Sequence, residues 1–262
     1  MNVVEPLIET GMPTSDDLFL GGILTIRQPL RGYRAGTDAV LLAASVRAHS
    51  RAAGPVLDAG SGVGVVGLCV AARCPEANVT LVERDPALAS LARYNTDRNG
   101  LTGRVTIVEA DITRATPALQ SANIASESYA LVLANPPYHD ERRSTAAENP
   151  LRAASHQMPE DTLDAWARFL CRMALPGGRV ALIHKADALP SILTAFEGRF
   201  GGIGILPIYA RAGEPAIRVI VDGIKGSRAP AHVKAGLTLH GPDQAFVPEI
   251  EAVFRDGAPL PL

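Results

Sequence analysis

The apolar residues change period along the chain, and those changes mark out its elements. In LFLGGILTIRQP (18–29) two short apolar runs flank Gly21-Gly22, which predicts a β-hairpin. In GYRAGTDAVLLAASVRAH (32–49), Val40, Leu41, Ala44 and Val46 recur at roughly helical spacing, with Thr37 or Asp38 placed to cap the helix. From residue 55 strands and helices alternate. VLDAG (56–60) reads as a strand, VVGLCVAAR (65–73) as a helix and NVTLVE (78–83) as a strand. PALASLARYNTDRNG (86–100) reads as a helix opened by Pro86 and closed by Gly100. RVTIVEAD (104–111) and YALVLANPP (129–137) are strands, the latter stopped by two prolines. An amphipathic helix (161–175), a strand (178–185) and a further helix (188–199) follow. Two last strands, IGILPIYA and AIRVIVDGI, are joined by a turn short enough for an antiparallel hairpin. This alternation predicts an α/β fold: a mostly parallel sheet covered by helices on both faces. The pattern gives three regions. An N-terminal extension (1–50) carries the hairpin and one helix, residues 51–226 form the main domain, and 227–262 are a polar, Gly/Pro-rich tail. Residues 1–17 are expected to lie loosely on the surface.

Composition narrows the picture. The 262 residues are 47% hydrophobic and 20% charged, with a formal net charge of −2. A protein that simply coats nucleic acid is usually strongly basic, so any such contact must come from a local surface. Three cysteines give neither a disulfide framework nor a CxxC metal pair, and the histidines are scattered, so no metal is expected. The first residues have no signal-peptide pattern and no apolar run spans a membrane, so the expected compartment is the cytoplasm.

Two constellations carry chemistry. The first is Asp58-Ala-Gly60-Ser-Gly62-Val-Gly64, between a strand and a helix. Alternating glycines let the backbone turn sharply and approach a ligand closely. Ligands of open α/β sheets bind at this end of the strands. The next strand ends at Glu83, whose carboxylate can accept from both hydroxyls of a ribose. Gly62-x-Gly64-x-x-Gly67 also fits the dinucleotide fingerprint. Asp58 separates the two readings, because an acid there suits the amino group of S-adenosylmethionine and repels a pyrophosphate. Asp111 can accept from an adenine amino group, or simply cap a turn.

The second constellation is Asn135-Pro136-Pro137-Tyr138, directly after an apolar strand. The prolines fix φ and remove two N–H groups, leaving carbonyls free to accept. With the Asn side-chain oxygen they can bind both hydrogens of an –NH2 group and orient its lone pair. Tyr138 offers a flat face for stacking. Methyl transfer from a sulfonium needs placement at near-attack distance and no strong base. Basic residues before the core (Arg27, Arg31, Arg34), after the turn (Arg142, Arg143, Arg152) and near the C-terminus (Lys225, Arg228, Lys234) can line one rim and bind phosphates. Arg142 and Arg143 are the foremost substrate candidates by position.

DAGSGVG with NPPY resembles the class I methyltransferases that modify exocyclic amines. GYRAGTDAVLLA, LDAGSGVGVVGL, NPPY and AGEPAIRVIVDGIKGSRAP together resemble the bacterial valine-tRNA adenine-N(6) methyltransferase family over roughly residues 17–230. The resemblance implies a Rossmann-like fold of seven strands, the last reversed. It implies S-adenosyl-L-methionine as cofactor, contacts to it from Asp58, Gly60, Glu83, Asp111 and Asn135, and catalysis by the NPPY turn on an RNA, tRNA in this family. The upstream segment helps to cover the cofactor, which makes Arg34, Thr37 and Asp38 candidates. Other acceptors stay open. NPPYH is similar to the NPPFH turn of guanine-amine rRNA methyltransferases, and enzymes that methylate a protein glutamine amide share NPPY.

Overall fold

The computed structural model describes residues 12–32, 34–46, 54–113, 124–137 and 161–261. Its centre is a sheet in which four strands follow one another in parallel: β4 (Val79–Glu83), β3 (Val56–Ala59), β6 (Tyr129–Ala134) and β7 (Ala174–Lys185). Beyond β4 lies β5 (Val105–Glu109), also parallel. Beyond β7 lie β9 (Ala216–Lys225) and then β8 (Phe200–Tyr209). Strand β9 runs antiparallel to both neighbours, so the expected reversed last strand is present. These are the seven expected strands. Two short additions, β10 (His232–Val233) and β11 (Leu237–Thr238), extend the β8 edge and bring the sheet to nine.

The sheet is buried on both faces because its strands alternate between two apolar layers. Leu131 and Leu133 of β6 join the layer built with α1 (Thr37–Ala44) and α2 (Val65–Arg73). Val132 and Ala134 join the opposite layer, built with α4 (Asp161–Met173) and α5 (Leu189–Phe196). Between β4 and β5 runs α3 (Pro86–Arg98). Asp85 caps it by accepting from the N–H groups of Ala87 (2.8 Å) and Leu88 (3.3 Å). No helix among the described residues is long and apolar enough to cross a membrane.

The hairpin of β1 (Thr14–Phe19) and β2 (Leu24–Pro29) begins earlier than expected, so the stretch from Thr14 to Asp17 is paired strand and not loose chain. Its register puts Asp16 opposite Arg27, and the two form an ion pair at 2.9 Å. The free edge of β2 is satisfied by two asparagines one turn apart on and just after α3. Asn95 accepts from Arg27 N (2.7 Å) and donates to Arg27 O (3.0 Å), and Asn99 does the same for Thr25 (both 2.9 Å). Side-chain amides here replace the strand that a sheet edge otherwise demands.

The stretch 227–262, expected to be a polar, Gly/Pro-rich tail, builds β10, β11 and α6 (Pro248–Asp256). Ile250 and Val253 of α6 are buried in the same layer as α1, and Leu260 N donates to Ala44 O (3.0 Å).

Candidate active site

The register of the parallel strands brings the two sequence constellations together. Ala59 of β3 pairs with Val82 on one side and Ala134 on the other. The next residues are therefore neighbours across the strand ends: Gly60 in the middle, Glu83 to one side and Asn135 to the other. Strands numbered onward from β3 run to one side and β6 and β7 to the other, so this is the topological switch point, where such sheets bind ligands.

Gly60, Gly62 and Gly64 have φ of 63°, 57° and 94°, in the left-handed region that favours glycine. Space is equally restrictive at two of them. A Cβ on Gly60 would collide with Cη2 of Trp166, and one on Gly64 would sit 2.9 Å from Leu81 Cδ1. Around Gly62 there is open space within 4 Å.

Two carboxylates hold this turn. Asp58 is 1% exposed and its Oδ2 accepts from Gly67 N at 2.9 Å, fastening the start of α2 to β3. Burial pushes its pKa up to about 7; the Gly67 N–H works against that and the nearby Glu83 adds to it. Glu83 is buried and accepts three backbone N–H groups: Gly62 on Oε2 (2.8 Å), and Arg84 and Asp85 on Oε1 (both 2.9 Å). A carboxylate oxygen can accept twice, so Oε2 keeps one position for a hydroxyl.

The other expected residues fall as follows. Asp111 lies two residues beyond β5 in a turn, Oδ1 accepting from Thr113 N (2.9 Å) and Thr113 Oγ1 (2.6 Å), so the turn-capping role is realised. Asn135 and Pro136 are buried and Pro137 half-buried. Thr37 is exposed at the start of α1, whose capping position is Gly36. Neither Thr37 nor Asp38 caps the helix, since Asp38 binds Arg218 Nε at 2.8 Å instead. Arg34 is fastened to the hairpin by Ser15 Oγ (2.9 Å), Pro29 O (2.8 Å) and the Asp17 carboxylate. Tyr138, Arg142, Arg143 and Arg152 lie outside the described residues.

The single basic rim is not formed by the described members of that set. Lys225 pairs in register with Phe200 at the start of β8, and Ile224 with Arg179, which places Lys225 and the following Arg228 at the end of the sheet opposite the glycine turn. Lys225 binds Glu127 (2.7 Å), Lys234 binds Asp222, and Arg27 is paired with Asp16 and lies over the Tyr94 ring at 4.6 Å. Opposite charges close by in the fold neutralise cations that look free in the sequence.

Three contributors were not visible beforehand. Trp166, on α4, packs its ring against Gly60. Asn95 donates to Val63 O (3.0 Å) as well as to β2, tying the glycine loop to the hairpin. Arg218 joins the start of β9 to α1 through Asp38. The only sequence signal among these was the four-residue spacing of Asn95 and Asn99.

The residues suit S-adenosylmethionine better than a dinucleotide. Two carboxylates flank the turn where a pyrophosphate would have to lie. Among the described residues the buried Ser61 Oγ has no hydrogen-bond partner, a position that a polar ligand atom can fill. No group of three or more His, Cys, Asp or Glu among the described residues is arranged to hold a metal ion.

Comparison with known proteins agrees. Residues 35–161 match the family model of the methyltransferase small domain. The chain is 34% identical over 188 residues to a tRNA1(Val) (adenine(37)-N6)-methyltransferase from Porphyromonas gingivalis, covering 69% of each protein. It is 33% identical over 146 residues to a release factor glutamine methyltransferase from Bordetella pertussis, covering 53% of this chain and 50% of that protein. A crystal structure described as a predicted O-methyltransferase from Agrobacterium tumefaciens is 32% identical, with a TM-score of 0.69 over 82% of this chain and 94% of that one. A sulfonium-suited turn beside an amine-suited Asn-Pro-Pro corner, and tRNA-modifying relatives matched over two thirds of their length, lead to one conclusion: this chain is an S-adenosylmethionine-dependent N-methyltransferase and belongs to the tRNA1(Val) (adenine(37)-N6)-methyltransferase family.

Proposed function

We propose that the acceptor is the exocyclic amine of an adenine in tRNA. The observation that carries this reading is the pairing of Ala59 with Ala134, which sets the Asn135-Pro136-Pro137 corner beside the glycine turn. Bound S-adenosylmethionine supplies an already activated methyl group. Asp58, Glu83 and the Gly60–Gly64 turn would hold it, with Asp111 at the adenine end. The chain's remaining work is placement. The Asn135 side-chain oxygen and a carbonyl of the Pro-Pro corner accept the two amine hydrogens, so the nitrogen lone pair points out of the ring plane and toward the methyl. Because attack precedes proton loss, the nitrogen releases its proton only once cationic, and no dedicated base is needed. Tyr138 would stack on the base, with Arg142 and Arg143 on flanking phosphates. An RNA substrate of this kind makes the cytoplasm the working compartment.

Adenine is favoured over a glutamine amide by the extent of the likeness. The tRNA-modifying relative is matched over 69% of its length and the release-factor relative over 50%. The test is transfer of labelled methyl from S-adenosylmethionine to tRNA taken from a strain lacking the enzyme, followed by nucleoside mass spectrometry. The expected product is N6-methyladenosine. Asn135→Ala should lower kcat by at least about a hundredfold, the scale of losing an oriented acceptor. Label appearing only in protein, or only in guanosine, overturns the assignment.

A further inference from the structure

We infer that Trp166 is a further cofactor-binding residue, its ring bracing the Gly60 turn and its indole N–H donating to the carboxylate at the amino-acid end of S-adenosylmethionine. Trp166 is 5% exposed, and the edge of its six-membered ring abuts Gly60, with Cζ3 and Cζ2 3.2 and 3.3 Å from where a Cβ would stand. It belongs to the same buried layer as Ala59 and Ala134, the last residues of the two strands that frame the switch point. Among the described residues its buried Nε1 has no hydrogen-bond partner. Ser61 Oγ, on the residue after Gly60, is in the same condition. Buried N–H groups are satisfied in the great majority of native proteins, because leaving one bare costs the full desolvation of the group. Indole nitrogen is a donor only, so its partner must be an acceptor. No acceptor among the described residues, the Asp58 and Glu83 carboxylates included, takes a hydrogen bond from it. A ligand in the glycine turn brings its own acceptor, and the carboxylate is the strongest that this cofactor carries. The result is charge matching at the amino-acid end, with Asp58 for the ammonium and Trp166 for the carboxylate.

Trp166 is the only tryptophan in the chain, so its emission reports on this contact alone. Titration of the full-length protein with S-adenosylhomocysteine should shift that emission saturably, with a midpoint equal to the calorimetric Kd. Trp166→Phe removes the N–H together with the outer ring edge that abuts Gly60. It should raise the Kd for S-adenosylhomocysteine about tenfold, equivalent to ~1.4 kcal/mol, with the circular dichroism spectrum retained. The Kd for 5′-methylthioadenosine, which lacks the amino-acid end, should not differ between wild type and variant. Equal tenfold losses for both ligands would make Trp166 a prop for the loop and overturn the carboxylate contact. Unmoved emission at saturation, or an unchanged Kd in Trp166→Phe, overturns the inference and leaves the methyltransferase assignment standing. Absence of any S-adenosylhomocysteine binding to the wild type would overturn both.

Discussion

Asp58→Asn isolates the charge of the buried carboxylate from its hydrogen bond. The amide oxygen of the variant side chain can still accept from Gly67 N, so the fastening of α2 to β3 survives the change. What changes is titration. The folded-state pKa of Asp58 stands at about 7 against an ordinary 3.8, raised chiefly by burial. Between those values the folded protein holds a proton that the unfolded chain has lost, so the wild type loses stability as pH rises through the window. At ~1.36 kcal/mol per pH unit, the loss from about pH 5 to about pH 7 is roughly 2.5 kcal/mol. The asparagine variant has no such slope, but its extra N–H groups cost about 1–3 kcal/mol in the buried site. The two stability curves therefore approach or cross as pH rises, the variant being the weaker at low pH. Urea denaturation of both proteins at several pH values measures this, and only the difference between them is read, because His184 contributes a slope of opposite sign over much of the same range. A difference in unfolding free energy that stays constant with pH refutes the buried-carboxylate argument. If the cofactor's ammonium lies against Asp58, as proposed, S-adenosylhomocysteine also weakens sharply in the variant above about pH 7.

Other perturbations test other parts of the same edge. Asn95→Ala removes three hydrogen bonds from a fully buried side chain and strips the β2 edge, so a loss of about 3 kcal/mol is expected by urea denaturation; for the half-buried Asn99→Ala, about 1 kcal/mol. Gly60→Ala forces a methyl into the Trp166 ring at a φ of 63°, and calorimetry should find S-adenosylhomocysteine binding weakened by at least about tenfold, with the circular dichroism spectrum retained. Burial lowers the pKa of His184 to about 4, so the folded state keeps it neutral and stability is lost as pH falls from the ordinary 6.5 toward that value. His184→Gln should flatten the acid limb of the stability curve, and an unaltered limb would remove His184 from the account.

The alternation of strand and helix could be read from the sequence because β3 and β6 are buried on both faces and appear as nearly unbroken apolar runs. The glycine turn could be read because a left-handed backbone leaves a residue signature at Gly60, Gly62 and Gly64. What stayed hidden depends on partners distant in the chain. In α6 the helical spacing of Ile250, Val253 and Phe254 is one short signal inside a Gly/Pro-rich tail, and docking on α1 is what makes Ile250 and Val253 core. Asn95 and Asn99 look like ordinary surface amides until β2 is laid beside them. Asp38 resembles a helix cap because capping is local, yet its partner Arg218 is 180 residues away. The described members of the basic rim are dispersed for the same reason. Charge can be counted in a sequence, but the reversal of β9, which carries Lys225 to the far end of the sheet, is topology.

The acids of the glycine turn show why a motif residue and a ligand contact are not the same thing. In the sequence Asp58 and Glu83 are read by what a cofactor could offer them. In the fold both are first occupied by backbone: Gly67 for one, and Gly62, Arg84 and Asp85 for the other. The turn is thereby fixed before any ligand arrives, which reduces the ordering cost of binding. Fixing it sets up an electrostatic conflict: burial above all, and the nearby Glu83 to a smaller extent, opposes a charge on Asp58, which holds its proton to about pH 7. A cationic ligand removes that conflict and an anionic one deepens it. Selection of a sulfonium over a pyrophosphate is thus built into the same hydrogen bonds that shape the loop, and it does not require a separate recognition residue.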